Sequence, residues 1–494
     1  MLSKQIFKVG AWTATSRIFG FARDVLIARV LGAGRASDIF FAAFKLPNMF
    51  RDLLGEGALS AVFVPMFAKE KSNQSKAEQF ASNIFSWLLL GLLVIVLVGV
   101  VLMPIIMMGV APGFLSDPEK FNATVFFGRV LFFYLIFICG VGLLSGILNA
   151  YSEFAVAAAM PVLLNIFMIG GLLTAYYFKV AALPLLCLAV LLSGVAQMYI
   201  LWRRIKKRNF GLRIIRPKWN SQSKTVFKRL GIGMLGSGFY QLNIVIGTLV
   251  ASFQTGAISW LYYADRMVQL PFAIIGLAAG TVLLTHISDS ISCDNIKSAH
   301  DAQNAAMRNS MMLTLPCMVG LFVLAVPIIR YLFEYGAWTP DATYAVAFAI
   351  MILCLALPAM TNSQIYSRTL FAACDVKTPV KFGAIALAVS TTLYLALAPF
   401  IGYLAIPIGT VVGGYLRNLL LYRECVKRGL FVMKKSTAHS IAAFFGLSVI
   451  MGAGLWLGTY MITSVFSLLV AIAIGGAFYL PLAHIINKKV LKHI

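Results

Sequence analysis

Between Ile84 and Val110 the chain carries no charged side chain, although about 20 consecutive apolar residues already suffice for a helix to cross roughly 30 Å of hydrocarbon. Leu163–Tyr177 and Ile441–Met461 repeat the pattern. A soluble core has no use for such runs: 60% of the residues are hydrophobic and 12% charged, against roughly 25% charged in a soluble domain. The expected fold class is therefore all-α integral membrane, with most of the chain in lipid.

Apolar runs and their breaks predict fourteen spans, near 7–32, 37–66, 79–110, 122–147, 155–178, 182–203, 226–253, 257–288, 304–334, 342–368, 378–399, 402–424, 437–461 and 464–487. The N-terminal basic residues resemble the start of a signal peptide, but arginines interrupt the apolar stretch and no small-x-small cleavage site follows, so the segment is expected to stay as the first helix. A formal charge of +24 raises nucleic acid as a partner, yet the basic residues cluster between apolar runs. From Arg203 to Arg229 there is no acid at all. That is the mark of a cytoplasmic loop, and with basic residues also at 69–76, 423–435 and both ends, an even number of spans with both termini cytoplasmic fits. No nucleic-acid partner is expected.

A faint internal repeat sets GRASDIFFA (34–42) against GAISWLYYA (256–264), and NAYSEFAVA (149–157) against AACDVKTPV (372–380), at nearly the same offset. It predicts a duplicated six-helix unit: an N-lobe over 1–205, a basic linker over 206–225, a C-lobe over 226–430 and a C-terminal hairpin over 431–494. Between Ala438 and Asn487 the hairpin holds no Asp, Glu, Lys or Arg and only two histidines, His439 and His484, so it either faces lipid or packs against a lobe. Seven scattered cysteines form no CxxC, and the five histidines show no metal-ligand spacing. No catalytic constellation can be assembled. The chain is not expected to be an enzyme or to bind a metal or cofactor.

The first span carries Arg17, Arg23 and Asp24, and the second Asp38, Lys45, Arg51, Asp52 and Glu56. At ~1.5 Å per residue, Arg17 lies about 15 Å into its helix and Arg51 about 20 Å along the next. A lone arginine at the bilayer centre costs about 2.5–3.5 kcal/mol, so such residues usually face a bundle interior or a watery pathway. Asp265 and Arg266 occupy the matching span of the second half. Arg17, Arg23, Arg51 and Arg266 are thus expected to converge on one cavity between two lobes, where planar guanidinium groups suit phosphate oxygens. The competing reading is internal ion pairing: Arg23 with Asp24 or Glu56, Arg51 with Asp38, Arg266 with Asp265. Arg129, Arg330, Arg368, Lys381 and Arg417 lie near span ends and read as snorkelling residues.

The stretch SRIFGFARDVLIARVLGAGRASDIFFAAFKLPNMFRDLLGEGALSAVFVP (16–65) resembles the opening of the MurJ (MviN) family of lipid II flippases, in the MOP exporter superfamily, and SWLYYADRMVQLP (259–271) resembles its second-lobe motif. The resemblance implies two six-helix lobes around a cationic cavity, with a final hairpin forming a groove for the lipid tail. It implies lipid II, the undecaprenyl-diphosphate disaccharide-pentapeptide, as substrate, moved from the cytoplasmic leaflet by alternating access in the bacterial inner membrane. Arg17, Arg23, Arg51 and Arg266 would bind the head group; Asp24 and Asp265 stand beside them, and Asp38, Lys45 and Glu56 match charged positions tied to gating or cavity structure. Membrane lipids and cell-wall synthesis proteins are the further partners implied. Gln269 stands where some relatives carry an acid, and span seven (226–253) has no acid, so no coupling ion is expected.

Four rival functions fit parts of the sequence. A drug exporter of the same superfamily would need acids in its cavity, a membrane-embedded transferase would need a base or metal-binding acids, and a scaffold would tolerate loss of the arginines. A flippase for another polyprenyl-diphosphate oligosaccharide differs from the leading reading only in its sugar.

Overall fold

A computed structural model describes the backbone of residues 2–52, 59–292 and 296–492, and the side chains of these except at 2–6, 60–61, 232–240, 276–292, 296 and 489–492. Glu56, Cys293 and His493 lie outside the described residues. Among the described residues every regular element is a helix, and helix covers most of the described part of each of the fourteen expected ranges. Nine stretches among them are long and apolar enough to cross a bilayer. The first, second, seventh and eighth expected spans are not among those nine: charged residues interrupt the apolar runs of the first two, and the side chains of the other two are described only in part.

The chain divides into two compact units. The first comprises Met1–Ile258 together with Tyr335–Trp338, and contains α1 (Leu2–Leu31), α2 (Arg35–Phe50), α3 (Leu59–Glu70), α4 (Gln74–Val101), α5 (Met103–Val110), α6 (Pro118–Phe132), α7 (Tyr134–Ala150), α8 (Phe154–Phe178), α9 (Ala182–Lys206) and α10 (Ser221–Ala251). Here α8 packs on α1 and α9, α7 on α9 and α3, and α2 on α6. Close approach depends on small residues. A Cβ on Gly194 would stand 2.9 Å from the Tyr134 ring.

The basic segment after α9 is not a loose tether. It runs along the start of α4, where Ser82, Asn83 and Ser86 accept hydrogen bonds from the backbone N–H groups of Arg213, Lys218 and Ile215 respectively, and Asn83 and Trp87 donate to the Lys218 carbonyl. Each bond satisfies a backbone group that no regular element would pair. Asn220 then caps α10 by accepting from the Ser223 N–H.

The second unit comprises Ser259–Glu334 and Thr339–Ile494. It holds most of α11 (Ala257–Ser292), then α12 (Ile296–Phe333), α13 (Pro340–Leu353), α14 (Leu357–Ala372), α15 (Lys377–Ile401), α16 (Ala405–Lys427), α17 (Lys435–Leu457) and α18 (Val465–Lys492). The C-terminal hairpin packs: α17 lies on α12, and α18 on both. A polar contact anchors it, because buried Arg308 of α12 donates through Nε to Asn487 Oδ1 at 2.6 Å. The outward faces of the hairpin stay apolar, with Ile450, Trp456, Phe466 and Ile474 exposed. Such faces suit lipid rather than water.

Candidate anion-binding cavity

A cavity of about 480 Å³ lies inside the first unit, bounded by α1, α7, α8, α9 and the end of α2. Small side chains make the room: Gly142 and Ser145 on α7 face Ala157, Ala158 and Pro161 on α8. Its size falls in the usual range for ligand sites, roughly 300–1,000 Å³. Arg17 and Arg51 both line it, and none of its lining residues is acidic. The remaining polar wall is neutral, contributed by Thr13, Ser16, Tyr134, Asn149 and Gln197.

Arg51 pairs with Asp52 at 3.1 Å, and Asp52 is outside the cavity lining, where Gln241 also donates to it at 3.4 Å. The carboxylate thus holds one terminal nitrogen of the guanidinium from outside the lining. Arg17, one turn before Phe21 on α1, is exposed to that space. The pair Arg51 and Asp38 expected from sequence does not form. They stand at opposite ends of α2, about 20 Å apart.

Arg23 is buried, and its partners hold α1 to α8. It donates to Asp24 at 2.6 Å and to Asn165 Oδ1 at 2.9 Å, while Asn165 Nδ2 donates to the carbonyl of Ser16, itself a cavity residue. Arg23 therefore sits one hydrogen-bonded step behind the cavity wall rather than on it. Lys45 is half-buried on α2. In the second unit Arg266 lies over the Tyr262 ring, 5.8 Å from its centroid. Asp265 accepts a hydrogen bond from Gln269.

Asp38 is fully buried in the first turn of α2 and accepts from Lys120 Nζ at 2.9 Å and from the Gly256 N–H at 2.7 Å. Lys120 is buried too, its ammonium 3.9 Å from the Phe114 ring centroid. One carboxylate so joins α2, α6 and the turn after α10. Lys120 was invisible in the sequence as a core residue, because it follows Asp117 and Glu119 in a stretch that reads as a polar loop. Asn165, Asn149 and Gln197 were missed for a different reason: single amides in apolar runs give no signal by spacing.

The profile of the family described as "Lipid II flippase MurJ" matches residues 27–475. The chain belongs to the MurJ family. A protein named "Probable lipid II flippase MurJ" from Rhizobium tropici is 36% identical over 457 residues, covering 91% of this chain and 86% of that one. Among solved structures, the MurJ fold titled "Lipid II flippase MurJ, inward closed conformation" superposes with a TM-score of 0.84 at 26% identity, over 98% of this chain and 99% of that one. An inward-facing multidrug resistance MATE transporter of the MOP superfamily matches at TM-score 0.67 and 16% identity, over 84% of this chain and 94% of that one. That likeness is one of fold, and it places this MurJ-family chain within the architecture of multi-pass membrane transporters.

Proposed function

We propose that the chain flips lipid II from the cytoplasmic to the periplasmic leaflet of the bacterial inner membrane by alternating access, with both termini in the cytoplasm. MurJ-family membership across nearly the whole chain supports the substrate. The observation that carries the mechanism is the cavity whose lining includes two arginines and several neutral polar groups but no acidic residue. A diphosphate would neutralise Arg17 and Arg51, which can each bind its oxygens bidentately, while the polyprenyl tail remains in lipid. In this reading Arg23 holds α1 in place behind the site, and Arg266 of the second unit supplies a further cation to the head group. Asp24, Asp38, Lys45, Glu56 and Asp265 act as structural or gating charges. A cationic-drug exporter is disfavoured by the same cavity, since its lining puts two guanidinium groups and no acidic residue beside the bound cation. Cell-wall synthesis proteins are natural partners for a chain delivering their substrate.

The test is complementation of a bacterium depleted of its lipid II flippase, with lipid II on the outer leaflet measured directly. Arg17→Ala and Arg51→Ala, inserted at normal levels, are expected to abolish growth and export, and Arg266→Ala likewise. Normal export by the first two would refute the diphosphate site.

A further inference from the structure

Gln197 is almost completely buried on α9, 1% exposed, yet it lines the cavity. Its Nε2 meets no hydrogen-bonding partner among the described residues. Asn149, at the end of α7 on the same cavity, holds its Oδ1 in the same condition. A buried amide left without partners is costly, and native structures rarely keep one without a use. Because an amide presents N–H and C=O in a form that a half-turn exchanges, each of these residues can donate to one ligand group and accept from another. On α8, Pro161 cannot give the N–H that the carbonyl of Ala157 would otherwise receive, and Ala157 also lines the cavity.

The second unit repeats the device. Asn418 stands at the same distance from the end of α16 (Lys427) as Gln197 does from the end of α9 (Lys206), and its Oδ1 is also buried without a partner on a cavity wall. Two amides in one register, each on a cavity, argue for a recognition role over a packing accident.

Building on the diphosphate reading above, we propose that Gln197 and Asn149 form a neutral subsite beside Arg17 and Arg51 that binds the acetamido group of the sugar attached to the diphosphate. An acetamido group offers one C=O and one N–H, which match an amide donor and an amide acceptor. A bare hexose offers hydroxyls alone at that position, and undecaprenyl diphosphate offers nothing. The arginines thus hold the charge common to all polyprenyl diphosphates, and the amides select those that carry an N-acetylated sugar. A site built to hydrogen-bond a polar group rejects ligands lacking it, because its own buried groups then stay unpaired.

Binding to the purified full-length protein in lipid nanodiscs distinguishes the two layers. The ligands are undecaprenyl diphosphate and the same lipid bearing either glucose or N-acetylglucosamine. Gln197→Met keeps the length of the side chain and removes both polar atoms. It is expected to weaken the N-acetylglucosaminyl lipid about five- to tenfold, the scale of one or two neutral hydrogen bonds, and to leave the other two ligands within about twofold. Asn149→Ala gives the same pattern from a second helix, so the outcome does not hang on one variant folding. Arg17→Ala is expected to weaken all three ligands alike. If both amide variants leave the preference for the N-acetylated lipid unchanged while Arg17→Ala weakens every ligand, the subsite is refuted and the diphosphate site stands. If Arg17→Ala changes no affinity, the diphosphate site falls, and the amide variants' effect on the N-acetyl preference alone decides the subsite.

Discussion

Replacing Lys120 with Met should be among the most damaging single changes in the first unit, and the structure says why. The Lys120 and Asp38 side chains are 3% and 0% exposed, with Nζ and Oδ2 2.9 Å apart. At an effective dielectric near 20 their attraction is about 6 kcal/mol, a gross figure against which desolvation must be set. Removing one partner leaves the other charge buried beside an apolar surface, and such changes typically cost about 3–5 kcal/mol. Asp38→Asn should cost the same order while keeping an oxygen for the Gly256 N–H. The double variant Asp38→Asn/Lys120→Met removes both charges of the pair, and should lie within about 2 kcal/mol of the parent, giving a coupling of about 4 kcal/mol or more in a double-mutant cycle. The assay is reversible denaturant unfolding in detergent micelles, followed by tryptophan fluorescence, with export measured in parallel. Additive single effects, or single costs below about 1 kcal/mol, would refute the claim that this pair pins α2, α6 and the turn at Gly256 together.

Three further outcomes are expected. Gly32 ends α1 at φ +69°, and a Cβ there would lie 2.4 Å from the Ala337 carbonyl oxygen; Gly32→Ala should lower stability by at least the ~1–2 kcal/mol of left-handed strain, read as a lower midpoint of thermal unfolding. Asn487→Leu removes the acceptor of the buried Arg308 Nε–H and should cost about 1–3 kcal/mol, with protease accessibility of the C-terminal hairpin rising if the contact anchors it. In the loop after α14, hydrogen bonds from the Thr378 hydroxyl and N–H, then Arg428, hold the Asp375 carboxyl down at about 2 from its ordinary 3.8. Because the folded value is depressed, its contribution is fully present above 3.8 and is lost as pH falls from there through about 2; carboxyl NMR titration should show it, and Asp375→Asn should abolish that acid-range change.

The helical class and the membrane as solvent were legible in the chain because lipid imposes one rule on every span, a long apolar run, whereas nine stretches among the described residues meet that rule where fourteen were expected. The arginines were legible for the converse reason, since a charge inside such a run is costly enough to need a function. Arg17 and Arg51 do share one wall. The partner choices were beyond reach. Asp38 faces Lys120, far away along the sequence, because α2 packs against α6, and the periodicity of a helix says which face a residue occupies without saying which helix will meet it. Arg23 reads like Arg17 in the sequence, yet it is drawn behind the wall by Asn165 and Asp24. The amides Gln197 and Asn149 left no trace at all, because a neutral side chain in an apolar run becomes informative only when packing denies it a partner. What the sequence determined by itself was the solvent each segment must live in; which side chains share a cavity was decided by helix packing, where contacts between residues distant in sequence set every distance in the site.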